Sequence, residues 1–227
     1  MKLVHPDFEY KIEFEENKFN LIILEDKKVF LKYTEEIYNQ CNISEEMGGF
    51  VLSDDKGKIQ KLSKVADIIV DIYNLDINNR KILTKLYSNL RELSNQDELY
   101  IETGKIVSEI IRYVDLVTNE AEYSLEYSVE FDVSELFKIT DVKFESYSST
   151  IIERLCEYVN VSSQILGKRI FIFVNMRNFF DRDVIEEFYR YLSYKKIFAI
   201  MIENSIDYTI QDYEKVFVLD SDLCEIY

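Results

Sequence analysis

The stretch that most constrains this chain runs from Lys168 to Asn204, KRIFIFVNMRNFFDRDVIEEFYRYLSYKKIFAIMIEN. Ile170 to Val174 is apolar at every position, without the alternation of a half-exposed strand. That is the pattern of a strand covered on both faces in a parallel sheet. Asp181 stands where a helix N-cap belongs, and Val184, Ile185, Phe188 and Leu192 recur on one face of the helix after it. A second two-sided strand follows from Ile197 to Ile202. Strand, helix and strand in this span make a βαβ unit, whose crossover is right-handed in nearly all proteins.

In nucleotide hydrolases a strand like the first ends in an acidic residue that helps to hold magnesium. Here Asn175, a poorer ligand, takes that place. Phosphate binding in such folds also needs a GxxxxGK[ST] loop, whose backbone N–H groups and Lys wrap the phosphates. The five glycines (48, 49, 57, 104, 167) never form one. The junction where the loop would sit, Leu24-Glu25-Asp26-Lys27-Lys28, is short and carries no Gly, and its Asp26 suits an N-cap. The expectation is an α/β head, ATPase-like with a mostly parallel sheet but no P-loop.

Composition narrows the class. The 227 residues are 47% hydrophobic and 31% charged, a globular balance with room for one substantial core. No apolar run approaches the ~18 to 20 residues that cross a bilayer, and the N-terminus alternates like a strand, unlike a signal peptide. A cytoplasmic protein with no membrane partner is expected. The single histidine, His5, lies in the first strand, where a structural role is simpler than a nucleophile–base pair. Cys41, Cys156 and Cys224 form no CxxC pair and read as small apolar residues rather than a disulfide or zinc framework.

Along the chain, residues 8 to 14 and 20 to 25 read as strands flanking a turn at Glu16 to Lys18. A helix follows through Val29, Phe30, Tyr33, Ile37 and Cys41. Phe50 to Lys58 reads as a strand and polar turn, and Val65 to Ile72 as another strand. The period then changes. Ile82, Leu86, Leu90 and Leu93 share one helix face, and Leu99, Ile106, Ile110, Val114 and Val117 another. The short link Ser94 to Asp97 predicts an antiparallel helical hairpin, with apolar faces wider than two helices can cover. Residues 121 to 131 alternate, Val133 to Ile139 reads as a short helix, and Val142 to Glu145 as a strand. Thr150-x-x-Glu153 is a capping box, and Lys215 to Asp220 is a final strand. The predicted organisation is a discontinuous head, 1–76 and 121–227, with an α-helical leg at 77–120.

Two charge clusters carry candidate chemistry. Glu120, Glu122, Glu126, Glu130, Asp132 and Glu135 form an acidic run without EF-hand spacing, readable as a solvated acidic face or as hard oxygen donors for a cation. Lys56, Lys58, Lys61 and Lys64 put four cations in nine residues of a chain of net charge −16, with Arg80, Lys81 and Lys85 soon after. They read as a solubilising turn or as a surface that tracks phosphates. Asp181-Arg182-Asp183 imitates a pair of catalytic carboxylates, but acids in a first helical turn need no further role. Phe171, Phe173, Phe188 and Phe198 read as core, and Tyr189, Tyr191 and Tyr194 as packing or interface residues.

Two local signatures resemble a known family. One is Ser134-Glu135-Leu136-Phe137-Lys138 with Val142-Lys143-Phe144-Glu145, after the acidic run; the other is Ile170 to Asn175 with the Asp181 helix and the strand to Glu203. With the length and element order, they resemble the ring-forming accessory family of type II-A CRISPR systems, which assists spacer acquisition in antiviral defence. The resemblance covers nearly the whole chain, and neither signature is catalytic. It implies an ATPase-derived head, a helical leg, a homotetramer, calcium as a stabilising ion, and no enzymatic activity. The implied partners are double-stranded DNA ends, two integrase proteins and the RNA-guided effector nuclease. On this resemblance the calcium candidates are Glu122, Glu126, Glu130, Asp132 and Glu135, and the DNA-binding candidates are Lys56, Lys58, Lys61, Lys64, Arg80 and Lys81. The rival readings are a protein-binding scaffold without DNA contact and a magnesium-dependent nuclease or nucleotide hydrolase.

Overall fold

In the computed structural model, which describes residues 1–205 and 210–227, the apolar runs of the sequence become the inner strands of one sheet. In chain order the first elements are β1 (Lys2–Val4), β2 (Ile12–Glu13), β3 (Phe19–Leu24) and α1 (Lys27–Asn42). They are followed by β4 (Val51–Ser53), β5 (Ile59–Gln60), α2 (Leu62–Val65) and β6 (Ala66–Ile69). Helices α3 (Arg80–Ser94), α4 (Asp97–Asn119) and α5 (Ser134–Ile139) come next, then α6 (Ile151–Leu166), β7 (Ile170–Val174) and α7 (Arg182–Tyr194). The chain closes with β8 (Phe198–Glu203), β9 (Glu214–Leu219) and β10 (Glu225–Ile226). Met1–Ile77 and Ser146–Tyr227 form one unit, and Asn78–Glu145 a second.

The head sheet has the order β10-β9-β3-β8-β7-β6, parallel from β9 to β6, with β10 antiparallel at the edge. Because strand side chains alternate, each apolar run supplies both faces. Ile22, Leu24, Ile170, Ile172, Ile200 and Ile202 pack with Tyr33, Ile37 and Cys41 of α1. Leu21, Ile23, Phe171, Phe173, Ala199 and Met201 pack with α6 and α7 through Leu155, Val159, Ile185, Phe188 and Leu192. Each large side chain so buried contributes about 1.5–3 kcal/mol. The two-sided pattern of β7 and β8 is explained, and the expected α/β class stands. A second sheet, antiparallel β2-β1-β4-β5, shares the α1-side core through Leu3, Ile12 and Leu52.

Several elements differ from the sequence reading. The expected strand at 8–14 shrinks to Ile12–Glu13, because Phe8 N donates to His5 O in a turn and Glu9 N and Tyr10 N donate to the Glu225 carboxylate instead of to a strand. The strand expected from Val65 starts at Ala66, after a short helix. Val142 to Glu145 is not a strand. The Asn78 side chain serves Phe144 instead, its Oδ1 accepting from Phe144 N at 2.9 Å and its Nδ2 donating to Phe144 O at 3.0 Å. Residues 121–131 also lack strand structure. Residues 121–145, read above with the head, group with α3 and α4: α5 packs on α3, and Arg91 Nε lies 3.5 Å from Asp132 Oδ1. In this second unit α4 has no buried residue, and Leu99, Ile101, Ile106 and Val117 are at least half exposed. Cys41 is buried and Cys156 half-buried, but Cys224 is exposed and is not a packing residue. Phe198 is half-buried, and Tyr194 is exposed while Tyr189 is buried. Among the described residues, no helix is long and apolar enough to cross a membrane.

Candidate functional site

In open α/β sheets, ligands bind beyond the carboxyl ends of the strands. Here most of the groups at those ends are engaged by the protein itself, the exception being Asn175 Oδ1, which is buried without a hydrogen-bond partner among the described residues. β3 runs into α1 across Glu25 and Asp26 alone, and Asp26 Oδ1 accepts from Lys28 N at 2.9 Å and Val29 N at 3.0 Å. The α1 N–H groups that a phosphate would need are therefore capped. Glu25 Oε2 accepts from Ser221 N at 3.3 Å. β7 ends in Asn175, held in the left-handed region at φ 54°, with its N donating to Ile202 O at 2.8 Å. Glu203, at the end of β8, is buried and accepts from Arg177 N at 3.1 Å. Arg177 also forms a buried ion pair with Glu214, which Tyr189 Oη joins at 3.2 Å. Sequence reasoning missed this cluster; its signals were Glu203, which closes the apolar run of β8, and Glu214, which opens β9.

The lysine cluster sits on the β4–β5 turn and α2. Asp54 Oδ1 accepts from Lys56 N at 3.0 Å and Lys58 N at 2.9 Å, and Gly57 takes φ 75° to close the turn. Those backbone bonds, Lys58's first, hold the Asp54 carboxyl below the usual carboxylate range. The neighbouring Asp55 carboxylate is paired with the N-terminal amine. Lys61 stands at the N-cap position of α2 and Lys64 in its last turn. All four lysines are exposed, and none forms an ion pair with a described residue. Asp54 and Asp55 keep their negative charge beside the cluster, and Lys58 helps to lower the Asp54 pKa. Between residues 54 and 64 four lysines stand against these two aspartates, a local balance of +2 on an acidic protein.

In the second unit, Arg80 and Lys81 are exposed in the first turn of α3, behind the Asn79 cap. Cations at that end oppose the helix macrodipole, so helix stability does not account for them. Glu122, Glu126 and Glu130 are exposed on the irregular segment after α4. Asp132 accepts from Ser134 N at 2.9 Å, the largest cause of its lowered pKa, and Glu135 pairs with Lys138 at 2.6 Å. The carboxylate donor set suits a hard cation such as calcium. Among the described residues of one chain, no three carboxylates converge where one ion could sit.

The family model described as "CRISPR-associated protein (Cas_Csn2)" matches residues 40–223. The chain belongs to the Cas_Csn2 family of CRISPR-associated proteins. This is the family that the sequence layout resembles. A CRISPR-associated protein Csn2 from Streptococcus agalactiae is 26% identical over 203 residues, 89% of this chain and 87% of that one. Another, from Enterococcus faecalis, is 26% identical over 140 residues, 61% of this chain and 64% of that one. Among solved structures, an ATP-binding cassette of an ABC transporter in its ADP conformation gives a TM-score of 0.42 at 12% identity, covering 92% of this chain and 79% of that one. That likeness is too low to argue from. Membership ties this Csn2-family chain to CRISPR systems.

Proposed function

We propose that this Csn2-family protein is a non-enzymatic, sequence-independent binder of double-stranded DNA ends. It works as a calcium-stabilised homotetrameric ring that supports spacer acquisition by a type II-A CRISPR system, beside the integrase proteins and the effector nuclease. The observation that carries the DNA-binding reading is the set of exposed Lys56, Lys58, Lys61 and Lys64, four cations against two aspartates between residues 54 and 64. Lysines act on phosphate as point charges and read no base sequence, which suits capture of unrelated fragments. Binding of this kind weakens steeply with salt.

The calcium part rests on Glu122, Glu126, Glu130, Asp132 and Glu135. With no convergence inside one chain, the ion would bridge acidic segments of neighbouring copies and reduce repulsion between protomers of charge −16. The capped α1 N-terminus and the absent GxxxxGK[ST] loop argue against nucleotide hydrolysis.

A gel shift with linear and covalently closed circular duplex, each with calcium or chelator, tests the whole reading. Retardation of linear duplex alone, and with calcium alone, is the expected result. Equal binding to both topologies would remove the ring. Binding to neither would favour a scaffold without DNA contact, and turnover of ATP or DNA with magnesium would overturn the non-enzymatic reading.

A further inference from the structure

Residues 121 to 132 read AEYSLEYSVEFD. Tyr123, Leu125, Tyr127, Val129 and Phe131 alternate without a break against Glu122, Ser124, Glu126, Ser128, Glu130 and Asp132. Alternation sustained over eleven residues is a strong signature of a strand with one apolar face. The chain provides no sheet for it. Tyr123 is 70% exposed, Leu125 49%, Tyr127 38% and Val129 65%. The backbone N–H and C=O groups of residues 122 to 129 make no hydrogen bond to any described residue. Tyr127 Oη donates to Asp115 Oδ1 on α4 at 2.8 Å, which ties the segment to the hairpin at its middle, while the backbone on either side is left as a strand edge leaves it, open to pairing with another strand.

We propose that this segment is a β-strand completed by the same segment of a second copy, antiparallel and centred on Tyr127. The inference rests on the self-assembly part of the reading above and names its surface. Among antiparallel pairings of the segment with itself, the Tyr127 centre is the one that pairs all five large apolar residues with one another. Centred on Tyr127, the pairing sets Tyr123 against Phe131, Leu125 against Val129 and Tyr127 against itself, so every apolar residue meets an apolar one. On the other face Glu126 meets Ser128 and Glu130 meets Ser124, and carboxylates face hydroxyls. Centring on Glu126 instead would oppose Glu126 to itself and Glu122 to Glu130. A parallel, in-register pair would stack every Glu beside its own copy. Like charges directly opposite are destabilising, so without a cation between them both alternatives are disfavoured, and the register is tested in chelator. The one like-charged pair in the chosen register, Glu122 with Asp132, falls at the ends, where Asp132 already has Arg91 3.5 Å away. The contact is self-complementary about a two-fold axis, as a closed dimer interface requires.

Facing residues of an antiparallel pair lie ~4.5–5.5 Å apart at Cα, close enough for a disulfide, which makes the register testable. In full-length protein carrying Cys224→Ser, Tyr127→Cys chains should oxidise to a linked dimer. Leu125→Cys or Val129→Cys alone should not link, but a mixture of the two should. An assembly seen by sedimentation that gives no link at position 127 would overturn the inference and leave self-assembly standing. A monomer at every concentration would overturn both. As a second readout, the double variant Leu125→Glu, Val129→Glu changes only exposed residues and should keep the thermal unfolding of the chain. It should weaken self-association at least about tenfold, and unchanged self-association would count against the strand.

Discussion

Gly49 is where a single hydrogen atom in place of a side chain decides the packing. His5 is buried and fixed at both ring nitrogens: Asp7 N donates to Nδ1 at 3.1 Å, so Nε2 carries the proton that goes to Glu36 Oε2 at 3.0 Å. Gly49 N donates to the same Glu36 oxygen at 2.9 Å. Phe8, Tyr33 and Phe50 crowd the imidazole at centroid distances of 5.1, 5.0 and 4.6 Å. A Cβ on Gly49 would stand 2.3 Å from His5 Nε2, and the imidazole it would displace is already in contact with three aromatic rings. Gly49→Ala should therefore destabilise the chain by about 1–3 kcal/mol, the usual cost of overpacking a fixed core. The urea midpoint measures it, with the m-value unchanged. A midpoint equal to wild type would mean that the ring moves freely. His5 is structural, in line with the simpler reading of a lone histidine.

At the scale of elements, α6 opens with the capping box read from Thr150 and Glu153. Thr150 Oγ1 accepts from Glu153 N at 3.3 Å, and Glu153 Oε2 accepts from Ser149 N at 2.8 Å and Thr150 N at 3.0 Å. The Ser149 backbone bond is the largest cause that lowers the Glu153 pKa from 4.5 to about 2. A folded-state pKa below the unfolded one gives stability that is fully present above pH 4.5 and fades as pH falls towards 2. Glu153→Gln should flatten the fall in melting temperature across that window, while an equal fall in both proteins would mean the carboxylate contributes nothing. The same helix shows what a sequence reveals. Caps and periodicity are local, so α1, α3, α4, α6 and α7 were all legible, and two-sided runs gave β7 and β8. What lay hidden depends on distant partners. The expected strand at Val142 to Glu145 is replaced by bonds to the Asn78 side chain, 66 residues away. The His5–Glu36 contact spans 31 residues, and no periodicity announces it. The candidate site divides in the same way: lysine spacing showed the cations, but only the structure shows Asp54 and Asp55 engaged by other groups.

At the scale of the molecule, a net charge of −16 and a DNA-binding role are compatible only if charge is unevenly distributed. Lys56, Lys58, Lys61 and Lys64 meet that condition locally, but a lysine-rich turn beside β5, which ends the small sheet, has another explanation: charge on an edge strand discourages unwanted pairing. The two roles separate in the salt dependence of binding. A lysine that neutralises a phosphate releases counterions, and each such contact adds about 0.9 to the slope of log affinity against log salt. Replacing all four by Gln touches only exposed side chains, where substitutions shift stability by about 0.5 kcal/mol or less each. If all four meet phosphate, affinity for linear duplex should fall at every sequence alike, and the slope should drop by about 3 to 4. Fluorescence anisotropy across a salt series measures both. An unchanged slope with normal folding would assign the lysines to the sheet edge, and DNA contact would then have to be sought on Arg80 and Lys81, whose position against the α3 dipole is the other charge arrangement that helix stability does not explain.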